Sequence, residues 1–390
     1  MKNWPKFKLG ELCKMNSGGT PRRGVDGYYN GDIPWAKISD IENACKGEVL
    51  KTEENITKEG LKSIGNKIFP IGTLLLAMYG SVGKTAFAGV ELSTNQAILG
   101  IKVIDTSVLN PRYLKYWIDS IKDKLVYRAV GGTLQNISLG IVKELEIPLP
   151  PLPIQQQIAD TLDKADALRR KDQELLDKYE ELAQAVFYEM FGDISINSKN
   201  WNIVQIRSIA QEVKYGTSSP AADSGNYPYL RMNNISYTGE LLLDDLKYIS
   251  ASEKEYEKYG TRYGDLLFNR TNSKDLVGKT TIVDIENPMI IAGYLIRVRL
   301  NDQANPWYVS TFMNSTHMKK VLRNKCKSII GMANINAQEL QDFDIPLPPK
   351  ELQDLFADKL TFIKEQQSLV KKTQSKSSAY FNQCLNNYFV

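Results

Sequence analysis

Apolar residues along the chain follow two rhythms. Short apolar runs such as 72–79, 97–104 and 292–298, broken by Gly, Asn and Pro, predict strands joined by tight turns. A step of three and four governs two other stretches. In the first, Ile154, Ile158, Leu162, Ala165, Leu168, Leu175, Tyr179, Leu182, Val186 and Met190 recur, with Asp172 filling one slot. In the second, Leu352, Phe356, Leu360, Ile363, Val370, Phe381, Cys384 and Tyr388 recur around a polar middle of Gln366, Gln374 and Ser377. Each is an apolar seam at the coiled-coil period, so two long helices are predicted. Each seam needs burial, and the other is its obvious partner. With one compact domain between them, antiparallel pairing is the simpler topology. The alternative is that each helix packs on its own domain.

The same grammar is written twice, about 195 residues apart. Trp4 through Gly19-Thr20 matches Trp201 through Gly216-Thr217, and 31–35 matches 225–229, with Ile41 and Ile235 further on. Gly72–Leu75 matches Gly264–Leu267, Val82–Thr85 matches Val277–Thr280, and Asn110-Pro111-x-Tyr113 matches Asn305-Pro306-x-Tyr308. Asn136-Ile137-Ser138 matches Asn334-Ile335-Asn336, and Ile147–Pro151 matches Ile345–Pro349. A period this long means a duplicated domain rather than a solenoid unit. The halves share little between these anchors, so a common frame carries different surfaces. Asn110-Pro111 and Asn305-Pro306 pair an N-cap with a helix-initiating proline and predict helices over 112–125 and 307–322. Each copy closes on Ile-Pro-Leu-Pro-Pro, a stiff connector into its long helix. A helix of about 37 residues runs roughly 55 Å. Two similar but unequal domains on such a spacer suit a split DNA target, whose half-sites one turn apart lie roughly 34–36 Å from each other.

Composition narrows the class. The 390 residues exceed one ordinary core, and the hydrophobic and charged fractions are those of a soluble globular protein. The start, Met1-Lys2-Asn3-Trp4-Pro5, has no apolar signal stretch, and no run approaches the length that spans a bilayer. Cys13, Cys45, Cys326 and Cys384 are scattered, which fits a reducing cytoplasm and argues against a disulfide scaffold or zinc site. The net charge of +4 is uneven: residues 1–153 carry +5 and 154–191 carry −4, while 192–349 carry +1 and 350–390 carry +2. A basic block attracts phosphate, whereas an acidic helix suits a protein partner.

Two motifs invite catalysis and fail on their spacing, and a lone histidine adds no third. The run ending Val82-Gly83-Lys84-Thr85 lacks the phosphate-loop glycine five positions earlier, where Met78 stands; its second copy has Ser273 there. Each is better read as a turn whose lysine, Lys84 or Lys279, is either solvated or placed against a phosphate. Asn110-Pro111-Arg112-Tyr113 lacks the second proline of the amino-methyltransferase motif and reads as a helix start. His317 is the single histidine, so no His-based relay or metal set is expected.

The order of several pieces resembles one family over the whole chain. Trp4–Leu12, Gly18–Pro21 and Ile33–Ile41 are similar to the opening of a target recognition domain in the specificity subunits of type I restriction-modification systems, the HsdS family. Tyr79–Lys84, Asn95-Gln96-Ala97, Asn136-Ile137-Ser138 and the run 147–158 continue the likeness. The resemblance implies an α/β (α+β) chain: two similar target recognition domains separated by two long helices that pair as an antiparallel coiled coil. The expected domains are 1–150 and 193–348, with helical spacers at 151–192 and 349–390. It implies a non-catalytic DNA-binding subunit that reads a bipartite, asymmetric sequence. Its expected partners are double-stranded DNA, two methyltransferase subunits that methylate adenine, and restriction subunits. Cofactors (S-adenosylmethionine, ATP and Mg) are expected on those partners and none on this chain. The second copy departs from the family at Lys350-Glu351-Leu352-Gln353, where Leu-Pro-Ile-Gln opens the first helix, which puts docking through the second helix in doubt. The competing class is a protein-interaction scaffold that binds no nucleic acid.

Base-reading candidates are polar or flat side chains of the loops that differ, since Arg and Lys pair with guanine and Asn and Gln with adenine in the major groove. In the first copy they are Thr20, Arg22, Arg23, Lys37, Ser39, Tyr79, Ser81, Lys84, Arg128 and Gln135. In the second they are Thr217, Ser218, Arg231, Asn233, Asn234, Asn269, Arg270, Asn272, Lys279 and Asn334. The helical seam centres on Ile158, Leu162, Leu168, Leu175, Tyr179, Leu182 and Val186, facing Phe356, Leu360, Ile363, Val370 and Phe381.

Overall fold

A computed structural model describes residues 4–129, 136–273, 275–329 and 332–389. The chain divides into two compact units, 1–175 with 370–390, and 176–369. Each is a mixed helix and strand assembly.

In the first unit a five-stranded sheet runs Cys13–Ser17, Ile98–Val103, Leu74–Ala77, Thr85–Ala88, Glu48–Val49, antiparallel except for its last pair. A three-stranded sheet runs Glu54–Ile56, Tyr29–Ala36, Ser93–Thr94. The strand Leu74–Ala77 is buried along its whole length because both of its faces are covered. Leu74 and Leu76 enter the core that holds the helices, whereas Leu75 and Ala77 enter the smaller core with Ala36, Ile41 and Phe69. Period-2 geometry sorts four similar residues between two cores.

The second unit repeats this plan. Its four-stranded sheet runs Ala210–Tyr215, Leu295–Leu300, Leu266–Asn269, Thr280–Ile282, and a three-stranded sheet runs Lys247–Ile249, Tyr227–Leu230, Ile290–Ile291. Leu266 and Phe268 join one core and Leu267 the other. The repeat is displaced by one residue at its first turn. A bulge between Ala210 and Glu212 makes Gly216 the equivalent of Gly18: Gly18 N–H donates to Ile98 O and Gly216 N–H to Leu295 O.

Each connector is fastened by the same set of bonds. Asn110 caps the helix Pro111–Ser120, accepting from the N–H groups of Arg112 and Tyr113, and Asn305 caps Pro306–Asn314. Gln155 and Gln353, both fully buried, accept from the backbone N–H of Asn110 and Asn305 at 2.8 Å. Their amides donate to Pro150 O and Val108 O in one unit and to Pro348 O and Gln303 O in the other. Tyr113 Oη donates to Pro148 O and Tyr308 Oη to Pro346 O. The second connector therefore keeps the whole lock despite its Lys350-Glu351 start. The helices predicted over 112–125 and 307–322 are each interrupted, at Ile121 and at Ser315, whose hydroxyl caps a new helix, Thr316–Lys325.

The long helices are Leu152–Phe191 and Lys350–Phe389, 40 residues each. In the first unit Ile158, Leu162 and Ala165 share a core with Phe381, Cys384 and Leu385, so the start of one helix lies against the end of the other. Ser377 Oγ donates to Asp172 at 2.7 Å and Gln374 Nε2 to Gln173 at 2.9 Å on the same line. In the second unit Phe187 and Phe191 pack on Phe356, with centroids 5.4 and 5.3 Å apart, and Leu360 completes the contact. Within each unit the pairing is antiparallel. The seam nevertheless differs from its expected course. Leu168, Leu175 and Leu182 are 54%, 41% and 45% exposed, and Tyr179 and Val370 are half-buried. In the first unit the line of lower exposure runs from the buried Asp166 to the half-buried Asp172, and in the second from the half-buried Ala183 and Val186 to the buried Phe187, so Asp172 and Val186 keep their expected places. Leucines seven apart flank it, leaving a second apolar line facing outward.

Candidate nucleic-acid interface

In each unit the described candidate side chains fall on several segments that follow strands of its two larger sheets. In the first unit, the loop after Cys13–Ser17 starts at Gly18, where a β-carbon would sit within 2.2 Å of the Thr94 backbone oxygen, so only glycine allows the close approach. Trp35 Nε1 pins this loop by donating to Gly19 O at 3.0 Å, and Tyr29 Oη donates to Pro21 O at 2.6 Å. Arg23 lies over the rings of Tyr29 and Trp35, 4.5 and 5.4 Å from their centroids, and forks onto both carboxylate oxygens of Glu54. Lys37 bonds Glu53 and Glu54, holding the Glu53 carboxyl below its usual range. Ser81 Oγ and Lys84 Nζ both meet Glu42 Oε1, at 2.6 and 3.0 Å, and hold that carboxyl low as well. Thr20 bonds the Gln96 side chain, Ser39 lies beside Glu53, and Tyr79 bridges to Asn136 at the exposed rim. The Arg22 side chain is exposed and has no partner among the described residues. The Arg128 side chain and Gln135 lie outside what is described.

The second unit fastens the equivalent loop differently. Tyr229 Oη donates to Thr217 O and Ser219 O, each at 2.9 Å, doing the task of the Trp35 indole. Thr217 is buried and Ser218 exposed. Arg231 bonds Asp245 through its backbone oxygen at 3.0 Å and its carboxylate at 3.1 Å, which Asn233 also reaches. Asn234, Asn269 and Lys279 are not on the surface: they are 1%, 0% and 8% exposed. Asn234 donates to Leu242 O and Asp245 O, and Lys279 Nζ to Met232 O and Ile235 O. Burial drives the Lys279 pKa below its ordinary value. Its place is therefore neither solvent nor phosphate but the underside of the loop. Lys319 serves the same loop, donating to Tyr237 O at 2.5 Å over the Tyr237 ring; burial and the nearby Lys279 push its pKa down to about 8. Arg270, Asn272 and Asn334 stay at the rim, where Thr271 pairs with Asn334.

Sequence reasoning did not single out Glu42, Glu53, Glu54 or Asp245, which neutralise four of the chosen cations. Nor did it single out Tyr215 or Tyr294, which stand 40% and 52% exposed beside Arg270. No local signal marked them, because they lie 55 and 24 residues from Arg270 along the chain; in the fold, exposed aromatics beside an arginine suit stacking on nucleic acid. Among the described residues, no three His, Cys, Asp or Glu side chains are grouped so as to hold a metal ion. Nor is any helix there long and apolar enough to cross a membrane.

Two units of one plan, each ending in loops of Arg, Lys, Asn and Tyr, define a duplicated recognition protein. The family model of the type I restriction modification DNA specificity domain matches residues 1–178 and again 198–376, and the chain belongs to that family. It is 27% identical over 292 residues to the MjaIX specificity subunit of Methanocaldococcus jannaschii, covering 66% of this chain and 67% of that one. It is 23% identical over 363 residues to the EcoKI specificity subunit of Escherichia coli, covering 88% and 75%. In fold it is similar to the S subunit of a type I system from M. genitalium, with a TM-score of 0.59 at 16% identity over 98% of this chain and 95% of that one. A chain from a structure on complex assembly and conformational transition of the type I system gives 0.53 at 18% identity, over 100% and 98%.

Proposed function

We propose that this specificity subunit reads a bipartite, asymmetric DNA sequence, one part with each unit, and directs adenine methylation and restriction by partner subunits while doing no chemistry itself. One observation carries the reading: the two units share a frame down to the buried Gln155 and Gln353 locks, yet present unlike loops. Equal frames give equal placement, and unequal loops give unequal sequences.

The outward apolar lines supply the second half of the task. Leu168, Leu175 and Leu182 on one long helix, and Leu355, Phe362 and Leu369 on the other, each repeat every seven residues and are 41–63% exposed. Such lines suit helices of a partner. We assign them to two methyltransferase subunits, with restriction subunits joining that core. S-adenosylmethionine, ATP and Mg belong in this reading to those partners, and the four free thiols suit the cytoplasm.

The test is genome-wide mapping of methylated adenine in cells expressing the chain with and without its methyltransferase partner. A new bipartite motif that needs both supports the reading; a stable complex giving no motif, with DNA affinity indifferent to salt, points to a scaffold instead. Replacing 1–150 by another member's first domain is expected to change one part of the motif only. One heptad inserted near Asp172 adds about 10 Å and is expected to widen the gap. Leu175→Ser is expected to leave folding intact and weaken partner binding, read by co-purification.

A further inference from the structure

The geometry points to Arg270 as the side chain that reads a guanine in the part of the target bound by the second unit, with Tyr215 as its positioning residue. The inference rests on the DNA-reading function proposed above and names one base within it.

Arg270 is held at three places. Its backbone N–H donates to Tyr294 O at 3.0 Å and its carbonyl accepts from Ile335 N–H at 2.9 Å, so the main chain is tied on both sides. Its guanidinium lies over the Tyr215 ring, 4.8 Å from the centroid. That ring is fixed in turn, since Tyr215 ends the strand Ala210–Tyr215 and its Oη accepts from Ala337 N–H at 2.8 Å. Stacking on an aromatic face orients the guanidinium plane while leaving donors on its edge.

Those donors are unspent. Arg270 pairs with no carboxylate among the described residues, and its buried Nε has no hydrogen-bond partner. The other arginines of the candidate surface behave otherwise. Arg23 forks onto Glu54 and Arg231 bonds Asp245, so each would have to give up an acid to meet a base. Arg22 is free but nothing holds it. Only Arg270, among these four, is both oriented and uncommitted. A planar fork with a fixed plane suits the O6 and N7 acceptors of guanine in the major groove. Asn272 and Asn334 stand at the same rim, so the surroundings are polar and open to solvent.

The first unit has no counterpart. The ladder places Met78 where Arg270 stands and Ser17 where Tyr215 stands, and Met78 is only 3% exposed. The guanine contact therefore belongs to one part of the target alone, which would make the two parts unlike.

The experiment uses the full chain in complex with its methyltransferase partner and a library of duplexes randomised around the methylated motif. Wild type is expected to require guanine at one position of the second part. Arg270→Ala is expected to lower discrimination there about 10- to 100-fold and leave the first part unchanged. Arg270→Lys keeps the charge without the planar fork and is expected to lose most of that discrimination while retaining affinity, which separates reading from folding. Tyr215→Ala is expected to act at the same position more weakly. An unaltered motif for Arg270→Ala overturns the assignment. So does a uniform loss of affinity with a salt slope smaller by about one, which would make Arg270 a phosphate contact. If wild type itself yields no bipartite motif, the parent reading fails, whatever the variants do.

Discussion

At one site in the central sheet the two units solve the same packing problem with opposite chemistry. In the first, the Phe69 ring lies against Gly100, so close that a β-carbon there would meet it at 2.2 Å. In the second, the equivalent residue is Arg297, fully buried and bonded to Gly260 O and to Glu212, with Asp265 3.8 Å from its Nε. Arg299 joins the same acids, bonding Asp265 at 2.9 Å. The frame is thus indifferent to whether an aromatic ring or an ionic cluster fills it. The loops differ as well: both units pair cations with carboxylates, Arg23, Lys37 and Lys84 in the first and Arg231 in the second, but the second also holds an uncommitted arginine, Arg270, over an aromatic ring. What a duplicated recognition domain conserves is where the backbone goes, and what it varies is how the space around it is filled.

The largest test removes the ionic filling. Arg297→Ala removes the fully buried partner of Glu212 and Asp265, which keep Arg299, and is expected to cost up to about 3–5 kcal/mol, the range for breaking a buried pair. Gly100→Ala in the first unit forces a methyl into Phe69 and is expected to cost about 1–3 kcal/mol. Hydrogen exchange on the full chain reads each unit by itself. Arg297→Ala is expected to deprotect the second unit and spare the first, and equal deprotection of both would show that the two do not open separately.

A smaller effect probes what the units share. Gln155→Ala and Gln353→Ala each remove three hydrogen bonds made by a buried side chain at the connector, at a cost of about 2–3 kcal/mol. The two losses are expected to match within about 1 kcal/mol in thermal unfolding. A large inequality would mean that the second connector, with its Lys350-Glu351 start, depends less on the lock.

The elements that carry those locks, though not the glutamines' bonds, were legible in the sequence. Asn-Pro before each helix, the Ile-Pro-Leu-Pro-Pro connector and the buried ends of both seams follow from local rules, because caps, proline and apolar period act over a few residues. The exposed Leu168–Leu175–Leu182 line was misread because an exact heptad drifts around a helix of 3.6 residues per turn, and only the partner decides which of two neighbouring lines is buried. Asn234, Asn269 and Lys279 look like loop-surface residues by type. The carbonyls that bury Lys279, from Met232 and Ile235, come from 47 and 44 residues away. The acid on Ser81 comes from 39 residues away. Partners at that range carry no local pattern.

Acid separates the two fillings further. Burial alone would raise the Glu212 carboxyl, but bonding to Arg297, the charges of Arg297 and Arg299, and Lys214 hold it below its ordinary value of 4.5. Its contribution is therefore fully present above pH 4.5 and is lost as pH falls through the lower folded value. The Phe69–Gly100 contact has no proton to take up. Proteolysis of the full chain stepped from pH 6 to pH 3.5 is expected to open the second unit first. The order should disappear in Glu212→Gln, which removes the titrating group, and the reverse order in wild type would rule this account out.

The smallest effect concerns the loops. If Glu42 competes with DNA for Ser81 and Lys84, Glu42→Gln releases a cation that the first unit otherwise holds in a partly exposed pair. Exposed pairs are weak, so affinity at low salt is expected to rise only about two- to fivefold. The slope of log affinity against log salt should steepen by up to about one. Asp245→Asn in the second unit should do less, because Arg231 still has the Asp245 backbone oxygen at 3.0 Å to hold it. Binding titrations of both variants at several salt concentrations separate the outcomes. A rise for Glu42→Gln alone would mean that the first unit restrains its own cations, whereas no change in either would leave Lys84 and Ser81 outside the DNA contact and the acids as fasteners of the loops.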